Sequence, residues 1–151
     1  VLRIDRRRLA SAVRVALDDL PAARISLAVV DDPRIHELNR QFLAHDYPTD
    51  VLSFLLEQSE DCLEGEVIVS AERAQAECGR YGWSPTEELL LYVIHGALHL
   101  AGYDDLLPGP RRRMRAQEKA CLTRLGVEIP PRRPRRTSAA RKRTQQGEAS
   151  R

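Results

Sequence analysis

The spacing of hydrophobic positions changes along this chain, and each change marks an element. Between Ile4 and Leu20, the residues Leu9, Ala12, Val13, Ala16, Leu17 and Leu20 share one helical face, and Pro21 closes the segment. Arg24 to Val30 is β-branched and alternates at first, which predicts a strand ending at Asp31-Asp32-Pro33. Asp32 and Pro33 read as N-cap and first position of a helix bearing Ile35, Leu38, Asn39 and Phe42. Tyr47-Pro48 then turns the chain into extended structure. Asp50 to Leu56 and Gly65 to Ser70 are short apolar runs that predict strands, with the polar stretch Glu57 to Glu64 as their connection. Ala71 to Tyr81 reads as a helix ended by Gly82.

The strongest start signal follows. Ser84 stands as N-cap, Pro85 at the first helical position and Glu87 where a capping box closes. In the helix it launches, Glu88 to Leu100, residues Leu89, Leu90, Leu91, Val93, Ile94, Ala97, Leu98 and Leu100 are apolar nearly all round. A helix without a polar face belongs inside the protein. Gly102 stops it, Leu106 to Pro110 reads as a loop, and Arg111 to Leu125 as a last amphipathic helix stopped by Gly126. From Pro130 onward no apolar period remains, which predicts disorder. The pattern as a whole predicts an α+β fold: one domain over residues 1–129, a small mixed β-sheet packed with helices, and a basic tail over 130–151. The order of the strands does not follow from the pattern.

Composition sharpens this in three ways. With 151 residues and 42% hydrophobic positions the chain can build a single core. No apolar run reaches 18 residues, so no helical membrane span is expected, and arginine-rich Val1 to Arg8 lacks the apolar stretch of a secretory signal. Cys62, Cys78 and Cys121 are odd in number and unpaired in spacing, as expected of reduced thiols in a cytoplasmic protein. The net charge of +2 hides an asymmetry. The tail carries +7, so the remaining body carries −5.

His95 and His99 lie four apart on the apolar helix, so both imidazoles project from one face about one turn apart. Ring nitrogens so placed can reach a single ion at about 2.0–2.1 Å. Two helical histidines can also satisfy each other or the backbone, so the spacing alone leaves both readings open. Their surroundings favour the ion. An unsatisfied buried polar group costs roughly 1–3 kcal/mol, so two such rings in an apolar helix need a partner. The turn Tyr103-Asp104-Asp105 can bring one more ligand, and three protein ligands leave a position open, as catalytic sites do.

The string His95-Gly96-Ala97-Leu98-His99-Leu100-Ala101-Gly102-Tyr103-Asp104-Asp105 resembles the signature H-G-x-L-H-L-x-G-Y-D-H of the YbeY endoribonuclease family of rRNA maturation factors. Ten of its eleven places are met, counting the free ones. Leu38-Asn39 followed by Asp46-Tyr47-Pro48-Thr49-Asp50-Val51-Leu52-Ser53-Phe54 is similar to the family's L-N…D-x-P-T-D-V-L-S-F. Gly65-Glu66-Val67-Ile68-Val69 is similar to its L-G-D-I-x-I strand. The likeness runs from about Ile25 to Gly126 and leaves out the basic tail. It implies a zincin-like metallohydrolase domain with one zinc ion. It further implies single-stranded RNA as substrate, the 30S ribosomal subunit as partner, and a role in 16S rRNA 3′-end maturation and ribosome quality control.

Two places depart from the family pattern. Asp105 stands where the family has its third histidine ligand. A carboxylate is an accepted zinc ligand, but its harder oxygen and added charge lessen Lewis acidity and admit other divalent metals. Asp104 is the neighbouring candidate, and position in the motif selects Asp105. The resemblance therefore makes His95, His99 and Asp105 the metal ligands and, through a metal-held water, the catalytic set. Leu43 stands where many members carry an arginine, so a contact to RNA phosphate falls to Arg40 or His45.

Other positions refine the chemistry. Zinc peptidases carry a glutamate base beside the first histidine, whereas Gly96 has no side chain there and allows a close backbone approach. Asp50 is placed to orient a ligand imidazole or the attacking water, or else simply starts a strand. Tyr103 reads as a core tyrosine. The expected function is metal-dependent cleavage of single-stranded RNA. Its rivals are a ribosome-assembly factor that binds without cleaving and a zincin-like peptidase.

Overall fold

The computed structural model describes residues 3–45 and 49–129. Tyr47-Pro48 and the basic tail from Pro130 lie outside the described residues. The elements are, in chain order, α1 (Arg6–Ala16), β1 (Ala23–Val30), α2 (Asp32–Leu43), β2 (Val51–Gln58), β3 (Leu63–Ser70), α3 (Ala71–Glu77), α4 (Pro85–Leu100) and α5 (Pro108–Arg124). A 3₁₀ turn, Cys78–Arg80, prolongs α3. The three strands form one mixed sheet in the order β1-β3-β2, with β1 parallel and β2 antiparallel to the central β3. The protein is thus α+β, as the hydrophobic pattern predicts.

Strand alternation divides the core in two. On one face, Val51, Val67 and Val69 join Leu89, Leu90, Val93, Ile94, Ala97 and Leu98 of α4, together with residues of α1 and α5. On the other face, Leu52 and Ile68 meet Ile35 and Leu38 of α2. Leu89, Leu90 and Leu98 are fully buried, and each such leucine stabilises the fold by about 1.5–3 kcal/mol. The capping box at Ser84 forms as predicted, with Ser84 Oγ accepting from Glu87 N and Glu87 Oε1 accepting from Ser84 N.

A glycine lets α4 lie close on the sheet. A Cβ at Gly96 would stand 2.8 Å from Ser53 Oγ and 2.8 Å from Val67 Cγ1. The Ser53 hydroxyl donates to the Gly96 carbonyl at 3.0 Å. The close approach anticipated for Gly96 is therefore made by a strand.

Several boundaries differ from the sequence reading. Asp31, not Asp32, caps α2, accepting from Arg34 N at 2.9 Å, and Pro33 takes the second position. This leaves the Asp32 carboxylate to accept from Ser70 Oγ at 2.6 Å and to pair with Arg73. Half of the connection expected over Glu57 to Glu64 is strand, and only residues 59–62 link β2 to β3. Pairing continues to Gln58↔Leu63 past a bulge at Leu55/Glu57, and Ser59 N closes the hairpin on Cys62 O at 2.9 Å. Backbone pairing on an exposed sheet end needs no apolar side chains, so the polar stretch hid it. The loop expected to Pro110 is already helix from Pro108, because the first N–H groups of a helix lack internal partners and proline loses nothing there. The helix expected to Tyr81 tightens into its 3₁₀ turn after Glu77. Among the described residues no helix is long and apolar enough to cross a membrane.

Candidate metal centre

Glu88, Tyr92, His95 and His99 fall at i, i+4, i+7 and i+11, a polar stripe along one side of α4. Past its end the chain reverses in a Schellman turn. Tyr103 N bonds Leu98 O and Gly102 N bonds His99 O, both at 3.0 Å, with Gly102 at φ 101°. Positive φ is where glycine is favoured, so the stop signal read from the sequence is also what aims the next residues back at the helix. Arg111 secures the returning loop, its Nε donating to Asp105 O at 2.9 Å and its Nη2 to Leu106 O at 3.3 Å.

Asp105 thereby reaches both histidines. Its Oδ2 lies 3.8 Å from His95 Nε2 and its Oδ1 3.8 Å from His99 Nε2. One ligand atom from each of the three residues lies within 4.8 Å of the others. Donors around one tetrahedral zinc-sized ion stand about 3.4 Å apart, so each of the two Asp105–histidine spacings is within about half an ångström of what such an ion needs. Asp105 is 8% exposed, and its Oδ1 is buried and accepts no hydrogen bond among the described residues. A buried carboxylate oxygen in that condition fits a cation. Asp104, the other candidate, instead accepts from Leu106 N at 3.0 Å and shapes the turn.

The far nitrogens of both rings are engaged. His99 Nδ1 lies 3.0 Å from the Tyr103 carbonyl, which can only accept, so Nδ1 carries the proton and Nε2 faces Asp105. His95 Nδ1 lies 2.5 Å from Glu118 Oε2, a carboxylate supplied by α5. The rings meet edge to face, with centroids 4.7 Å apart. Burial acts to lower the His95 pKa, but the Glu118 charge and hydrogen bond, with Asp105 and Asp50, outweigh it and raise the pKa overall. Burial raises the Asp105 pKa, helped by Asp104 and Glu118 and opposed by His95.

The remaining expected residues are not among these three clustered ligands. Asp50 accepts from Thr49 Oγ1 at 3.4 Å, and its charge is felt at His95, Glu88 and Tyr92. The ring-orienting hydrogen bonds considered for Asp50 are made by Glu118 and the Tyr103 carbonyl. Arg40 lies in the last turn of α2 and His45 just beyond its left-handed cap Ala44, neither within the three-residue group. Tyr103 packs against the main core, so its carbonyl serves the site while its ring serves the fold.

Glu118 is the residue that sequence reasoning missed. Its signal is visible in retrospect as the lone acid on the α5 stripe of buried Met114, Cys121 and Leu122. Glu88 was missed too. It is only 4% exposed, and burial lifts its pKa to about 7 against the opposing effects of Tyr92 and Arg80.

Fold and centre together define a small α+β protein whose buried helix, with the loop after it, gathers two histidines and an aspartate able to hold a metal ion. The family model for endoribonuclease YbeY matches residues 3–126. The endoribonuclease YbeY of Rhodopirellula baltica is 42% identical over 123 residues, covering 80% of this chain and 63% of that relative's length. That of Desulfitobacterium hafniense is 42% identical over 129 residues, covering 79% and 82%. The solution structure of TM1509 from Thermotoga maritima is 27% identical, with a TM-score of 0.49 over 84% of this chain and 88% of that one. The chain belongs to the endoribonuclease YbeY family.

Proposed function

We propose that this protein is a cytoplasmic, metal-dependent endoribonuclease that cleaves single-stranded RNA, acting on the 30S subunit in 16S rRNA 3′-end maturation and ribosome quality control. The observation that carries the chemistry is the convergence of His95, His99 and Asp105, buried together at the end of α4. The family membership supports RNA as the substrate class. His95 and His99 through Nε2, with the Asp105 carboxylate, are the residues that hold the ion, for which zinc suits the donor set. A zinc ion there supplies Lewis acidity toward a phosphoryl oxygen and acidifies a bound water. Arg111 fixes the Asp105 loop, Asp50 orients the attacking water, and Arg40 and His45 contact substrate phosphate.

The surface beside the centre supports a polyanionic substrate. Residues 106–117 include Arg111, Arg112, Arg113 and Arg115 and no acid, on a body whose net charge without the tail is −5. Arg112, Arg113 and Arg115 are exposed. A peptidase reading is disfavoured because position 96, where a glutamate base would stand, has no room for even a Cβ.

The test is purified protein on single- and double-stranded RNA, with and without chelator, beside the His95→Ala/His99→Ala variant. Cleavage of the single strand that disappears with chelator and in the variant supports the reading. Cleavage that survives both overturns it, and tight RNA binding without cleavage in the wild type identifies a non-cleaving assembly factor instead.

A further inference from the structure

We propose that Glu118 is a positioning residue of the metal centre, a carboxylate that holds the His95 ring with Nε2 directed at the ion and completes the charge balance around it. The inference rests on the reading of His95, His99 and Asp105 as ligands.

Three observations carry it. The contact is short and enclosed: His95 Nδ1 lies 2.5 Å from Glu118 Oε2, with the two side chains 12% and 14% exposed. Glu118 stands on the inward stripe of α5 among Met114, Cys121 and Leu122, each at most 2% exposed, so the helix packing fixes its reach. The third is an asymmetry. His99 is backed by a neutral carbonyl, whereas His95 is backed by a full carboxylate. A histidine whose far nitrogen donates to a carboxylate is held in one tautomer and is the more basic ligand.

Charge gives the carboxylate a further purpose. Two neutral imidazoles and Asp105 leave one positive charge on a bound divalent ion. Glu118 cancels it within the same buried region, where an uncompensated charge is costly. Without Glu118, His95 can turn its ring or donate from the wrong nitrogen, and the ion loses both geometry and neutralisation. A purely structural tie between α5 and α4 makes a different prediction. Its loss would lower the stability of the metal-free fold and leave the metal affinity of folded molecules unchanged.

The experiment measures zinc dissociation constants by chelator competition for the full chain and for Glu118→Gln, Glu118→Ala and Glu118→Asp. Thermal midpoints of the same proteins are taken in excess chelator. Loss of an outer partner of this kind weakens metal binding by about 10–100-fold. We expect that range for Gln and Ala, with partial recovery in Asp, which keeps the charge on a shorter arm. The chelated Gln variant is expected to melt close to wild type. Zinc affinity within about twofold of wild type in both Gln and Ala overturns the proposal, as does a drop in the chelated midpoint with affinity unchanged. A variant too unstable to assay leaves Asp to decide, since a purely structural role predicts wild-type affinity there. If wild type itself binds zinc no better than His95→Ala, the ligand reading fails, and that result is distinct from failure of Glu118 alone.

Discussion

Ser53 and Gly96 are locked together: the Ser53 hydroxyl donates to the Gly96 carbonyl at 3.0 Å, and a Cβ on Gly96 would come within 2.8 Å of the same oxygen. Val67 Cγ1, at 2.8 Å, blocks the same space from β3. The helix therefore rests on the sheet at the residue next to His95. Gly96→Ala forces the helix outward, and overpacking of this kind costs about 1–3 kcal/mol. Urea unfolding should show a lower midpoint with unchanged slope. An unaltered midpoint would mean that the helix–sheet spacing is softer than this contact implies. Gly96→Glu should fold poorly rather than acquire peptidase activity.

Asp105 distinguishes ligand from bystander. With its Oδ1 buried and accepting no hydrogen bond among the described residues, Asp105→Ala removes one of three donors and should lower zinc affinity at least 100-fold. Asp105→His restores a nitrogen donor and should bind zinc more tightly than Ala. Asp104→Ala removes the turn contact to Leu106 N but no ligand of the three-residue group, and should retain most of the affinity. The reverse order, with Asp104→Ala the worse of the two, would transfer the ligand role to Asp104.

Much of this centre was legible in the sequence because its parts are local. The i, i+4 histidines, the Gly102 stop and the turn that follows lie within eleven residues, so helix and turn geometry brings them near one another, while the family motif selects Asp105 over Asp104. The capping box at Ser84 and the burial of α4 follow from the same local rules. What was not legible depends on packing between distant segments. Glu118 meets His95 across two helices and 23 residues, and nothing in the α5 pattern says which element its charged position faces. The hairpin from β2 to β3 was hidden for a related reason, since its outer half is held by backbone pairing that side-chain polarity does not report.

The arginines at the start of α5 should contribute to RNA binding. Arg112 and Arg115 are exposed and follow Arg111, which is bonded to the Asp105 loop. Each phosphate contact to a single strand contributes about 0.7 to the slope of log affinity against log salt. Arg112→Ala/Arg115→Ala should reduce that slope by up to about 1.4 and weaken binding across sequences, with zinc affinity unchanged. The measurement is fluorescence anisotropy of a labelled single strand, titrated in chelator at several salt concentrations. An unchanged slope would place the RNA path elsewhere.

Glu88 makes the stability of the fold depend on pH in a defined direction. Its carboxyl has a pKa of about 7 in the folded protein, against 4.5 without burial, and Tyr92, Arg80, Asp50 and Glu77 are the groups that act on it. Between those two values the folded protein keeps a proton that the unfolded chain has released. The stability contributed by protonated Glu88 is therefore fully present below pH 4.5 and is lost as pH rises through about 7. A shift of this size corresponds to roughly 3 kcal/mol at most. Glu88→Gln cannot ionise, so it should match wild type near pH 5 and exceed it by about 1–3 kcal/mol at pH 8. Both proteins are unfolded in urea under chelator, so that the histidines and Asp105 titrate alike in each and cancel in the difference. Curves that stay parallel from pH 5 to 8 would show that Glu88 ionises as readily in the fold as in the unfolded chain.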